Sequence, residues 1–195
     1  MKQIICISGH AGAGKDFFAS ILSAELTKRD YKTLICHYAD LVKYICEKFF
    51  GWNGLKDVSG RTLLQKVGTD IVRQKEPNYW VDFLCDIFTF FPDEWDYIII
   101  PDLRFPNEFT RIRERITPNV ISVLVQREKE PEEIIHKLTD KQKDHPSETS
   151  MKDFPFMVTI HNNYDIPTLH ETAKIFADYL IDIDKNDNNN EKGDE

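Results

Sequence analysis

The chain has 195 residues, enough for one domain with a sizeable core, and 33 acidic against 25 basic side chains give it a formal charge of −8. That balance excludes a broad electrostatic surface for nucleic-acid polymers or anionic lipid, because nothing general would attract a polyanion. No apolar run approaches the roughly 20 residues needed to cross a bilayer, no signal-peptide core follows Met1, and the four cysteines form no CxxC pair, so the expectation is a soluble, cytoplasmic protein with no membrane partner, no zinc site and buried thiols.

Gln3 to Ser8 is a nearly continuous apolar run ending at glycine, as expected of a strand covered on both faces. Lys15 to Arg29 reads as a helix, with Phe18, Ile21, Leu22 and Leu26 recurring at three and four residues. Thr33 to Ala39 is a second strand, and Asp40 is placed as N-cap of a helix running from Leu41 to Phe50. Gly51 to Gly60 is a loop, followed by helices predicted at Arg61 to Gln74 and Tyr79 to Phe91. Tyr97 to Ile100, Val120 to Gln126 and Phe156 to Ile160 complete five predicted strands. The polar segment 127 to 150 is expected to be a mobile flap with a helix opened by Pro131 and Glu132. Leu169, Ala173, Phe176, Ala177 and Leu180 give a last amphipathic helix, and from Asp184 to Glu195 the absence of large apolar residues predicts a disordered acidic tail. Strands alternating with helices imply an α/β sheet with right-handed crossovers and a binding crevice beyond the carboxyl ends of the strands.

The residues that carry chemistry follow strands. Gly9-His10-Ala11-Gly12-Ala13-Gly14-Lys15-Asp16 fits GxxxxGK between a predicted strand and a predicted helix, the context in which backbone N–H groups wrap a phosphate and a lysine neutralises the outer phosphates. Asp16 stands where Ser or Thr would normally offer magnesium a hydroxyl; a carboxylate can also bind a hard cation, and the alternative is a helix-start aspartate facing the dipole. Asp102 follows an apolar strand, where P-loop enzymes hold an acid that organises Mg²⁺, and Arg104 two residues later suits a neighbouring phosphate; a turn residue and a solvated charge are the alternatives. Arg61, Gln65, Thr69 and Arg73 step by four and form one polar stripe, facing a cleft or facing water, opposite the apolar Leu63, Leu64, Val67 and Ile71. Trp80 has the shape to stack on a base, yet its spacing with Leu84 and Ile87 favours the core. His145, in Asp144-His145-Pro146-Ser147-Glu148, has no role that the sequence supplies, and His37 reads as structural or exposed.

Taken together, GHAGAGKD, YAD followed by Lys43, RTLLQKVGTDIVR, NYWVDFL, PDLRFPNE and DHPSE resemble the phage-type deoxynucleoside monophosphate kinases of the P-loop nucleoside monophosphate kinase family, in the family's order from residue 4 to about 150. The resemblance implies a three-layer αβα fold over residues 1–183 with a five-stranded parallel sheet, monophosphate-binding helices over about 40–92 and a small lid over about 127–150. It implies transfer of the γ-phosphoryl group of ATP to a deoxynucleoside monophosphate, with Mg²⁺, and a homodimer is its expectation for assembly. The loop from Gly9 to Asp16, with Phe17, would hold ATP; Asp16 and Asp102 would position the metal. Asp40, Lys43, Arg61, Gln65, Thr69, Arg73, Trp80 and Arg104 would line the monophosphate site. Lys15, Asp102, Arg104 and Arg127 would act on the reacting phosphates. Alternatives are a P-loop kinase with a non-nucleotide acceptor, of phosphomevalonate or dephospho-coenzyme A type, and a non-catalytic ATP-binding regulatory protein.

Overall fold

The computed structural model describes residues 1, 3–128, 139–163 and 165–191, with side chains as far as Lys185. Five strands, β1 (Gln3–Ser8), β2 (Thr33–Ile35), β3 (Tyr97–Ile100), β4 (Val120–Gln126) and β5 (Val158–His161), form one parallel sheet in the order β2-β3-β1-β4-β5. β1 is central, paired with β3 from Gln3 against Tyr97 and with β4 from Ile4 against Val120. The switch in strand order beside β1 puts the mouth of the crevice at the end of that strand, where the glycine loop begins.

Period-two alternation along the strands builds two cores. Ile5, Ile7, Ile99, Val123 and Val125 face α1 (Lys15–Thr27) and the C-terminal helix α8 (Ile166–Glu191). Ile4, Cys6, Ile98 and Ile100 face the opposite layer of α2 (Ala39–Phe50), α3 (Val58–Gln65), α4 (Tyr79–Phe90) and α5 (Pro106–Arg115). Both sheet faces are covered, which is why these strands read as unbroken apolar runs rather than alternating ones. Cys6, Cys46 and Cys85 are buried in the second core, as expected of small apolar side chains, and Cys36 is partly buried against it.

Several boundaries differ from the sequence expectation. β2 stops at Ile35, since Cys36 to Tyr38 turn toward the crevice, and α2 begins at Ala39 with Tyr38 as its N-cap; Asp40 lies inside the first turn and accepts the His37 N–H instead. α3 starts at Val58, capped by the Asp57 carboxylate on the Gly60 N–H, and from Lys66 to Arg73 it widens into a π-helix. That widening turns Ile71 outward, 40% exposed, although its spacing had placed it with Val67 in the core. β5 begins two residues later and ends one later than expected, at Val158–His161. α5 was not anticipated at all: Phe105-Pro106-Asn107-Glu108 opens it with proline in the first turn and a glutamate at the third position reaching back to the backbone. The chain expected to lose order at Asp184 continues as helix to Glu191, because a helix already nucleated on Leu180 and Ile181 propagates cheaply through polar residues and Asp184 itself is buried. The flap helix at Pro131 lies outside the described residues; the remainder of that flap holds two single turns, α6 (Asp140–Lys143) and α7 (Pro146–Thr149).

Gly9 leaves β1 with φ +148°, and a Cβ there would collide with the Val125 carbonyl oxygen of β4. Gly9→Ala is therefore expected to destabilise the domain by about 2–4 kcal/mol through backbone strain and displacement of a ladder carbonyl, checked by urea unfolding. A loss below about 0.5 kcal/mol would show that the loop leaves the strand differently.

Candidate active site

The glycine loop turns on left-handed backbone at Gly12 and Gly14, with φ +82° and +92°. Its far wall is fixed by Asn162, just past β5, whose side-chain amide donates to the Ala13 carbonyl at 2.8 Å. Lys15 opens α1, is 8% exposed, and curls back so that Nζ donates to the Gly9 and His10 carbonyls at 2.7 and 2.9 Å. Burial, with the Arg104 charge nearby, brings its ammonium down to about 8. The ammonium is held against the loop with its ordinary preference for charge weakened, a state that an anionic ligand would reverse.

A cleft of about 640 Å³ opens from this loop across the carboxyl ends of β1 and β3, a volume in the usual range for a small-molecule site. Ala11, Gly12, Lys15 and Asp16 form its loop side. Lys43, Arg61, Gln65, Thr69, Arg73 and Trp80 form the helical side, with Asp102 and Arg104 between them. The polar stripe of α3 and its π-helical continuation thus faces the cleft rather than solvent. Trp80 sits in the core as its spacing with Leu84 and Ile87 favours: it is 2% exposed, its indole N–H donates to the Gly68 carbonyl at 2.8 Å, and one edge reaches the cleft.

Other expected residues stand off the cleft wall. Gly9, His10, Ala13 and Gly14 shape the loop from behind. Phe17 points away to meet the His170 ring edge-on at 6.2 Å. Asp40 is drawn between Lys43 at 2.8 Å and His37, which hold its carboxyl well below the usual range despite partial burial. Arg127 is exposed beyond β4 and does not line the cleft.

Asp102 accepts the N–H groups of Tyr38 and Ala39, one on each oxygen at 3.0 Å, so its first task is to tie the start of α2 to the end of β3; burial pushes its pKa upward. Asp16 is 76% exposed on its side chain and pairs with His37 Nε2 at 3.1 Å. Burial disfavours the charged ring, but the hydrogen bonds to Asp16 and Asp40 outweigh it and raise His37 to about 9. Among the described residues no group of three or more metal-ligating side chains converges, so a divalent cation would have two carboxylates at most, Asp16 and Asp102. Phosphate oxygens and water would have to complete its shell, which is the usual way Mg²⁺ is held, and each Asp102 oxygen keeps a lone pair. The donor set fits that ion.

Four residues that the sequence reading left out belong to the site. His37 bridges the loop side to α2. Glu108, Ser147 and Glu148 line the cleft, and Glu148 pairs with Arg104 at 2.6 Å while the Ser147 carbonyl accepts from the same guanidinium at 3.2 Å. His145 caps α7 by accepting the Ser147 N–H and meets Asp70 at 3.2 Å. The DHPSE segment is thereby a brace between the π-helix and Arg104. Gln142 strengthens it by donating to the Val58 carbonyl and the Thr62 hydroxyl.

A parallel sheet with a glycine loop running into a helix, and an ammonium facing arginines across one cleft, defines a P-loop phosphotransferase. Similar folds include a gluconokinase from Sinorhizobium meliloti 1021, at TM-score 0.54 and 13% identity over 92% of this chain and 93% of that one. A sugar kinase from Janibacter sp. HTCC2649 matches at TM-score 0.52 and 14% identity over 91% and 95%, and an APS kinase from Mycobacterium tuberculosis at 0.50 and 10% over 92% and 96%. At these identities they show a shared fold. No match is found among curated proteins. The sequence model of the deoxynucleotide monophosphate kinase family matches residues 35–171, most of the chain, and the protein belongs to that family. The matched stretch begins after the glycine loop, so the loop is an independent sign of the same chemistry.

Proposed function

We propose that this kinase transfers the γ-phosphoryl group of ATP to a deoxynucleoside monophosphate, giving the diphosphate and ADP. The observation that carries the reading is a single cleft with the glycine loop and Lys15 on one side and Arg61, Arg73 and Arg104 on the other, beside the edge of an indole. Two anionic groups would be held facing each other with their charge offset, which is most of what phosphoryl transfer asks of a protein. The loop amides and Lys15 would bind the donor's outer phosphates. Arg73 and Arg104 would grip the acceptor phosphate, and the stripe from Arg61 to Thr69 would face its sugar and base. Asp16 and Asp102 would hold Mg²⁺, which when bound neutralises donor phosphate charge. The brace of DHPSE keeps Arg104 at the junction of the two halves.

The test is ADP release coupled to a spectrophotometric readout, with ATP, Mg²⁺ and each of dTMP, dGMP, dCMP and dAMP in turn, then their ribose forms. Strong release with one or two deoxynucleotides is expected. Silence with all of them, alongside tight ATP binding, would move the acceptor outside the nucleotides.

A further inference from the structure

Glu108 is the most completely buried carboxylate in the cleft wall, 1% exposed, and one of its two jobs is left unexplained by helix capping. As the third residue of α5 it accepts the N–H groups of Arg104 and Phe105 on Oε2, at 2.8 and 3.0 Å. A glutamine would cap equally well and would avoid burying a charge. Its other oxygen, Oε1, takes Nη2 of Arg73 at 2.6 Å, from a helix 35 residues earlier. Arg73 is fixed on two further sides: its guanidinium carbon lies over the Phe105 ring, 3.9 Å from the centroid, and Nη1 donates to the Pro77 carbonyl at 3.2 Å. Arg73 Nε is buried without a hydrogen-bond partner, so the group is held by Glu108, the ring and that carbonyl.

We propose that Glu108 is the positioning residue for the acceptor subsite: through one oxygen it aims the Arg73 guanidinium, and through the other it fixes the backbone from which Arg104 projects. The two arginines come from elements far apart in sequence, and a phosphate gripped by both needs them in register to within a fraction of an ångström. One carboxylate shared between them sets that register. Burial pushes Glu108 up to about 7, the cost that a charge kept only for capping would not justify.

The inference rests on the acceptor-phosphate reading of the cleft, and Glu108→Gln tests it separately. The amide oxygen of glutamine can keep both backbone bonds while its NH₂ turns a non-accepting group toward Arg73. The expected result is a KM for the monophosphate raised about ten- to a hundredfold and a lowered kcat, with the KM for ATP within twofold of wild type. The second readout needs no substrate. In ¹⁵N spectra of the full chain, the Nη–H signals of Arg73, assigned by their loss in Arg73→Lys, should exchange slowly with solvent in the wild type and rapidly in Glu108→Gln. Phe105→Leu, which removes only the stacked ring, should shift both readouts in the same direction by less. Unchanged constants, an ATP KM raised as much as that of the acceptor, or an Arg73 signal still protected in Glu108→Gln would each overturn the proposal. A wild-type enzyme inactive toward every monophosphate would remove the functional reading instead, and the Arg73 signal would still decide whether Glu108 aims that guanidinium.

Discussion

Replacing Lys15 by alanine is expected to reduce phosphoryl transfer at least about a thousandfold and to leave the melting temperature within a few degrees of wild type. The size of the loss follows from what the ammonium does: among the described residues it is the lysine or arginine charge that the glycine turn itself presents to the cleft, and removing a comparable preorganised donor from phosphoryl or acyl transfer costs roughly 10²–10⁵ in rate. The small effect on stability follows from its surroundings. Burial lowers its pKa to about 8, so folding disfavours the charge it carries, and deletion relieves that cost while giving up two bonds to loop carbonyls. His10 is exposed, and water can take the place of Nζ there. Initial rates in the ADP-release assay, with a circular-dichroism melt of the same sample, check both halves. Wild-type turnover in a folded Lys15→Ala protein would end the P-loop reading of residues 9–16.

Much of this fold is written in short-range pattern. The β1 and β4 runs are nearly continuous in apolar residues, broken inside only by Ser122, because both sheet faces are covered, and each carries its own stop signal, so strand, loop and α1 are legible without any partner. α5 was missed for the opposite reason. Its residues Asn107, Arg111, Arg113, Glu114 and Arg115 are polar, and only Phe109 and Ile112 mark a buried face; the surviving signal was FPNE, proline in the first turn and glutamate at the third position. The π-helical turn at Lys66–Arg73 is equally hidden, since apolar spacing marks helices at a period of 3.6 and carries no sign of a wider turn. Even so, Arg61, Gln65, Thr69 and Arg73 reached one cleft wall. The tail shows that composition reports what a segment can nucleate rather than what a neighbouring helix can carry forward.

At the site, residues attached to a local motif were legible and residues that act across the chain were not. Lys15, Asp16, Asp102 and Arg104 announce themselves by following strands or a glycine loop. Glu108 and Glu148 matter because of Arg73 and Arg104, 35 and 44 residues away, and His37 because Asp16 and Asp40 converge on it. Apart from His37–Asp40, three residues apart, none of those pairings has a spacing that sequence could display. Asp40 was attached to the site by its neighbours in YAD, whereas its carboxylate serves Lys43 and His37. Arg127 follows a strand, as an active-site residue should, but β4 ends beyond the cleft wall and the side chain is exposed.

Arg104→Ala is expected to lower kcat/KM for the monophosphate about a hundredfold with the ATP dissociation constant little changed. A guanidinium that meets phosphate with charge-assisted bonds contributes about 1.5–3 kcal/mol, and 1.4 kcal/mol is a factor of ten. Part of the loss should come from what is left behind. Glu148 pairs with Arg104 at 2.6 Å and lies close enough to Lys15 to favour its charge, so without the arginine a carboxylate stands where an anionic acceptor must arrive. Adding Glu148→Gln to Arg104→Ala should therefore recover about tenfold of the loss, although Glu148→Gln alone should weaken the enzyme by releasing Arg104 from its brace. The sign change between the two backgrounds is the diagnostic result, read from a double-mutant cycle on kcat/KM. Unchanged kcat/KM in Arg104→Ala would remove Arg104 from the acceptor subsite. Losses that simply add would show that Glu148 does its work on something other than this arginine.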